Sequence, residues 1–459
     1  MQRPIIPMEE YAARRRRLLD KLGKDSIAIV PSGSLKVRNR DAEYPFRQDS
    51  DFHYLTGFNE PEAVAVFAPG REQGEYVLFC REKNAKEERW TGLRAGTEGA
   101  KHWHGADDAH PIGDLNKLMP ELLAGRDQVH YDLGVNSTFD QRMIQWVNHL
   151  RAMARAGVRA PHAIVMLDRI LHEMRLFKSA AEIAVMRYAA QTSAHAHTRA
   201  MQACKPGRHE YEIEAELLHE FRLHGMEPAY TSIVGGGKNA CILHYIENRA
   251  VLRDGDLLLI DAGAEHDCYA SDITRTFPVS GKFSPEQRAL YQVVLDAQQA
   301  AIAAAIPGNT WNHPHQAAVT VLAQGLLELG ILSGTLDEVL AKPEVAEGEE
   351  PQEEAYRQFY MHKTGHWLGM DVHDVGDYKT SADDDGWRLL QPGMVLTVEP
   401  GLYIAEAEGV DPKWWNIGIR IEDDVLVTAT GNEVLSRDVV KEVADIEALM
   451  GGGMTSPHP

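Results

Sequence analysis

Residues 361–374, MHKTGHWLGMDVHD, gather three imidazoles, His362, His366 and His373, into one short stretch. Two pairs of carboxylates flank it. Asp261 ends the apolar run 252–263 and is followed by Asp272, while Glu399 ends the run 389–401 and is followed by Glu422 in GIRIEDD. An ionised carboxylate at the end of a buried strand is costly without a partner. Four brought together would repel until some of them took up protons. Two divalent cations cancel four carboxylates formally, with neutral His366 as a fifth ligand. Oxygen-rich donors with one imidazole favour Mn2+ or a similar hard-to-borderline ion over a thiolate zinc site. The chemistry to expect is hydrolysis by a water activated between two metal ions. Taken singly, Asp261 reads as a turn or cap residue, and His373 and His244 read as structural histidines. The setting shared by all four acids is what favours a dinuclear centre.

An internal echo shows what positions them. Aligning Gly255 with Gly393 matches Leu252 with Leu390, Asp261 with Glu399 and Gly263 with Gly401. Each copy is a turn glycine, an apolar strand, a carboxylate and a glycine, with a second carboxylate on a later apolar strand. A histidine precedes each copy, His244 the first and His373 the second. The repeat predicts two half-domains related by a pseudo-two-fold axis, with the site between them. Other catalytic signatures fail. His362 and His366 have the spacing of a zinc-protease helix, but Lys363-Thr364-Gly365 between them lacks the glutamate base. Asn239 stands where a phosphate loop after GGGK needs Ser or Thr, and no G-x-S-x-G elbow occurs.

A chain of 459 residues predicts two or three domains, and 44% hydrophobic with 25% charged residues is a soluble globular composition. The net charge of −21 argues against a nucleic-acid surface. The cluster Arg14 to Arg17 sits in a predicted helix over 8–22 and reads as a solvated face. No apolar run reaches the roughly 18–20 residues of a membrane span, and no signal core opens the chain, so no membrane partner and a cytoplasmic setting are expected. Four cysteines without a C-x-x-C fit a reducing compartment.

Strand-like runs at 26–33, 63–70, 76–82 and 128–133 alternate with helical patterns at 113–124 and 139–155, which predicts an α/β domain over 1–175. A long helix over 179–203, stopped by Lys205-Pro206-Gly207, opens a second domain over 176–450 with helices near 209–224, 284–305 and 313–329. The Glu-rich segment 336–359 reads as a solvated insertion, and 451–459 as a disordered tail.

With these residues in view, the sequence resembles the bacterial aminopeptidase P family, the Xaa-Pro aminopeptidases. The resemblance rests on GGGKNACILHY, LLLIDAGAEHDCYASDITRTFP, HKTGHWLGMDVHDVG, PGMVLTVEPGLYI and GIRIEDD, and on RNRDAEYPFRQDSDFHYLTGFNEPEAV near the N-terminus. It implies an α+β pita-bread catalytic domain with an internal pseudo-two-fold repeat behind the α/β N-terminal domain. It also implies release of the N-terminal residue from peptides with proline second, by attack of a metal-bridged hydroxide. Asp261, Asp272, His366, Glu399 and Glu422 match the ligands of two metal ions. Glu399 matches the proton shuttle, His244, His362 and His373 the other site histidines, and Arg420 an arginine behind the carboxylates. A homo-oligomer, dimer or tetramer, is implied as well, with Trp90 of ERWTGLRAG as a substrate-pocket wall reaching a neighbour's site. The rival readings are a dipeptidase for Xaa-Pro (prolidase) and a non-catalytic pita-bread protein that binds peptides.

Overall fold

The computed structural model describes residues 3–343, 352–383 and 386–452. The chain divides into two compact units, Ile5–Arg175 and Met1–Pro4 with Leu176–Pro459. No helix among the described residues is long and apolar enough to cross a membrane.

The first unit is built on a six-stranded mixed sheet in the order Asp108–Pro111, Tyr76–Cys80, Val64–Phe67, Ser26–Pro31, Gln128–His130, Ala163–Val165. Alternation along the strands turns Ile27, Ile29, Val64, Val66, Val77 and Phe79 to one face. Helical spacing brings Leu115, Met119 and Leu123, and then Phe139, Met143 and Leu150, onto that same face. The helices Leu115–Leu123 and Ser137–Ala152 and the strands thus share one core.

The arginine cluster divides: Arg16 and Arg17 are exposed, as its sequence reading has it, whereas Arg14 and Arg15 are not. Arg14 and Arg15, on the helix Met8–Lys21, are 0% and 6% exposed. Their guanidinium groups donate to the carbonyls of Tyr54 and Leu55 at 3.1 and 3.0 Å, and lie over the rings of Tyr54 and Tyr76. The helix Ser50–Thr56 leaves its last carbonyls without helical partners, and two buried cations at that end satisfy them. A planar, weakly hydrated guanidinium tolerates this burial where a lysine would not.

The second unit repeats a plan. Each half begins with two packed helices, Ala180–Ala203 with Glu210–Leu223, and Pro285–Ala304 with Asn312–Glu328. The first helix of each pair starts in a capping box, Ser179 with Glu182 and Ser284 with Gln287. Each half then forms a three-stranded sheet. One runs Ile233–Gly236, Leu257–Asp261, Thr274–Pro278; the other runs Val395–Val398, Asp423–Val427, Asn432–Val434. Gly255 and Gly393, ahead of the two acid-bearing strands, both adopt left-handed backbone, at φ 87° and 92°, as the aligned turns require. The echo in the sequence is therefore a repeat in space.

The acidic segment is only partly as predicted. Leu336–Leu340 is helical, and Val339, Tyr356 and Phe359 join the core of this unit. Average composition hid these apolar residues, while 344–351 lie outside the described residues. The predicted tail is likewise divided: Gly451 ends the helix Val443–Gly451, and 453–459 lie outside the described residues.

Candidate active site and metal centre

Strand register brings the acids together. Asp261 pairs with Thr274 in the first half, and Val398 pairs with Asp423 in the second. Each first carboxylate therefore sits beside the start of the returning strand, where Asp272 and Glu422 stand. The halves are joined across the repeat. Glu422 N–H donates to Thr274 O at 3.0 Å, and the Thr274 hydroxyl donates to Glu422 Oε2 at 2.7 Å.

The histidine stretch lies beside the strand Val395–Val398, with an isolated antiparallel bridge between Trp367 and Leu396. Leu368 N–H donates to Val395 O, Thr397 N–H to His366 O and Glu399 N–H to Thr364 O, all at 2.8–3.0 Å. A Cβ at Gly365 would overlap the carbonyl oxygen of Thr397, so only glycine permits this approach. A buried ion pair, Lys178 with Asp374 at 2.9 Å and each side chain 1% exposed, ties the end of the stretch to the start of the first helix. Removing one partner of such a pair costs about 3–5 kcal/mol.

His244, Asp261, Asp272, His362, His366, His373, Glu399, Arg420 and Glu422 all line one cavity of about 260 Å³. Trp90 is not among them. It is 89% exposed on the short helix Ala85–Thr91 of the first unit.

The charges in the cavity are unbalanced. Burial, and then the neighbouring Asp272, Glu399 and Asp261, push Glu422 far above the usual carboxylate range. Burial raises Asp261 despite Arg420 Nη2 at 2.6 Å. Burial also raises Glu399 to about 7, with Asp272 and Asp261 adding to it against His366 and Arg420. Asp272 is lowered, because His366 and Tyr230 outweigh its burial. For His366, burial alone would lower the pKa, but Asp272 at 3.4 Å and Glu399 at 3.7 Å raise it to about 9. Ligand atoms of Asp272, His366 and Glu422 lie within 4.8 Å of one another. His366 Nδ1 lies 3.0 Å from Trp367 O; a proton there leaves the Nε2 lone pair facing the acids. Oxygen donors in excess, repelling one another and with one imidazole aimed among them, are the donor set of a divalent cation centre.

The remaining histidines differ. His362 has both nitrogens engaged, Nδ1 at 2.7 Å from Lys363 O and Nε2 at 2.8 Å from the Tyr403 hydroxyl, and burial lowers it to about 3. His373 is exposed at the cavity wall, its ring 4.3 Å from that of His366, and burial with His366 nearby lowers its pKa. His244 is exposed at the same cavity.

Sequence reasoning missed the supporting groups. The Tyr230 hydroxyl lies 2.5 Å from both Asp261 Oδ1 and Asp272 Oδ1. Arg420 Nη1 donates to the Tyr403 hydroxyl at 3.0 Å, its Nε donates to Thr274 Oγ1, and the backbone N–H of Asp272 donates to Asp424. Tyrosine and threonine carry no ligand signature in a sequence, although Tyr403 falls within the quoted segment PGMVLTVEPGLYI.

Comparison with known proteins adds a second line. Residues 184–429 match the model of metallopeptidase family M24, and residues 11–131 match the aminopeptidase P N-terminal domain. The chain is 44% identical to an Escherichia coli Xaa-Pro aminopeptidase over 97% of its own length and 98% of the relative's. It is 33% identical to human Xaa-Pro aminopeptidase 3 over 97% and 86%. Among solved structures, the Pseudomonas aeruginosa aminopeptidase PepP superposes with a TM-score of 0.93 at 56% identity, covering 97% and 98%. A Zn-substituted E. coli aminopeptidase P in complex with product superposes with a TM-score of 0.93 at 44% identity, covering 98% and 100%.

Proposed function

The chain belongs to metallopeptidase family M24, and from that premise we infer that it is an Xaa-Pro aminopeptidase, a hydrolase releasing the first residue of peptides with proline second. The observation that carries this reading is the convergence of Asp261, Asp272, His366, Glu399 and Glu422 on one cavity. These five residues would hold two divalent cations, and their predominance of carboxylate donors favours Mn2+. Bound there, such ions acidify water and polarise a carbonyl.

The other steps belong to the chain. Glu399, a carboxylate lining the cavity, would take a proton from the attacking water and pass it to the departing proline nitrogen. His373 and His244 line the cavity wall, where an imidazole N–H can meet charge developing on the carbonyl oxygen. His362 has no free nitrogen. With Tyr403 and Arg420 it forms a relay of hydrogen bonds that orients the wall and reaches Asp261. His373→Ala is expected to lower kcat by about 10²–10³, the effect of losing one oxyanion donor, with metal content and melting temperature unchanged. A drop in melting temperature at normal kcat would instead make His373 a packing residue.

Substrate length tests the assignment directly. The enzyme is expected to release alanine from Ala-Pro-Ala in preference to cleaving Ala-Pro. Preference for the dipeptide would make it a dipeptidase, and fully metallated protein inert towards both would be a binding protein.

Assembly as a dimer or tetramer, with Trp90 lent to a neighbour's substrate pocket, is supported by the exposure of Trp90 and Leu93. Activity is then expected to fall on dilution into monomers, and an active monomer overturns this part. A cytoplasmic location is supported by cysteines that form no disulfide among the described residues.

A further inference from the structure

Away from the active cavity, one other cluster among the described residues has the donors of a metal centre: His195, Glu220 and His224. His195 lies on the helix Ala180–Ala203. Glu220 lies on the helix Glu210–Leu223 packed against it, and His224 is the C-cap of that second helix. None of the three lines the active cavity. Glu220 and His224 are four apart, so they share one helical face.

The geometry is close to that of a bound ion. Glu220 Oε1 is 3.3 Å from His224 Nε2, and ligand atoms of all three residues lie within 4.8 Å of one another. Donors about 2.0–2.2 Å from a tetrahedral ion stand roughly 3.3–3.6 Å apart. The Glu220–His224 pair already has that separation, and His195 is exposed with a ligand nitrogen within 4.8 Å of both. A second observation favours Nε2 as the ligating nitrogen. The Tyr188 hydroxyl lies 3.3 Å from His224 Nδ1. Nδ1 thus has an outer partner, which leaves Nε2, the nitrogen that faces Glu220, for an ion. Metal-binding imidazoles are held by this kind of outer partner.

We propose that His195, Glu220 and His224 form a third, single-ion site that takes a borderline divalent cation, Zn2+ foremost. Two imidazoles with one carboxylate suit Zn2+, whereas the carboxylate-rich active cavity suits harder ions. Three protein ligands leave a coordination position for water. The ion would clip together the two helices that begin the first half of the catalytic unit, so Zn2+ stabilises the fold by mass action. The competing account is an ordinary i,i+4 pair of Glu220 and His224 with His195 a bystander, and it predicts no role for His195 in metal binding.

The test is equilibrium dialysis of the full-length enzyme against a series of free Zn2+ concentrations, with metal counted per chain. Wild-type protein is expected to hold one Zn2+ more than His195→Ala, Glu220→Gln or His224→Ala. Because the readout is a difference between proteins with the same active cavity, it stands apart from the peptidase assignment. Equal melting temperatures of all four proteins in chelator exclude misfolding, and added Zn2+ should then raise only that of the wild type. Tyr188→Phe should keep the site with about tenfold weaker Zn2+ affinity. Equal Zn2+ content in wild type and all three variants overturns the proposal. So does a loss in Glu220→Gln and His224→Ala that leaves His195→Ala at the wild-type count.

Discussion

Chelation of divalent metal is expected to abolish hydrolysis of X-Pro peptides, and added divalent ion, Mn2+ foremost, to restore it. The physical ground is the charge of the cavity. Without cations, burial and mutual repulsion raise Asp261, hold Glu399 near 7 and push Glu422 far up, while its acidic neighbours hold the proton of His366 up to about 9. Each of these groups has a pKa above its ordinary value, and Glu399 near 7 and His366 near 9 hold protons around neutrality that they must lose to act as ligands. Metal binding should therefore release protons, and affinity should rise with pH through the neutral range. Calorimetric titration in two buffers of different ionisation heat measures the release directly. Full activity in metal-free protein, or binding without proton release, contradicts the site as described. Asp261→Ala should lose metal while keeping its fold, since burial already disfavours that carboxylate without a cation.

Glu399→Gln should lower kcat by about 10²–10⁴, the usual range for general acid–base assistance. The amide keeps the size of the side chain and one ligating oxygen but cannot carry a proton to the leaving nitrogen. Glu399 is anchored through its own N–H to Thr364 O at 2.8 Å, so the backbone should not move on substitution. KM should change far less than kcat, because the proton transfer is made in the transition state. Metal analysis of the same preparation separates a lost proton carrier from a lost ligand. Unchanged kcat in fully metallated Glu399→Gln would assign proton transfer to another group.

The sequence alone established what depends on near neighbours in the chain. Strand-end carboxylates, the histidine stretch and the repeat of glycine, apolar strand and acid are all local patterns, and composition plus spacing reveals them. The repeat even located the site, since two copies of one strand-end acid face each other only across a pseudo-dyad.

Tertiary structure decided the contacts between distant segments. Tyr230 bridges to Asp272 across 42 residues of chain, Arg420 reaches Asp261 across 159, and Arg14 reaches Tyr54 across 40. A charge run looks solvated in sequence because exposure is the usual fate of arginine. Burial of Arg14 and Arg15 follows only once a helix end, with carbonyls that lack helical partners, is packed over them. The same holds for Val339, Tyr356 and Phe359, whose acidic surroundings in sequence conceal their place in the core. Residue type and spacing fix which groups can do chemistry. Which of them are desolvated, and against what, is set by packing between segments far apart in the chain, and that desolvation gives the site its pKa values.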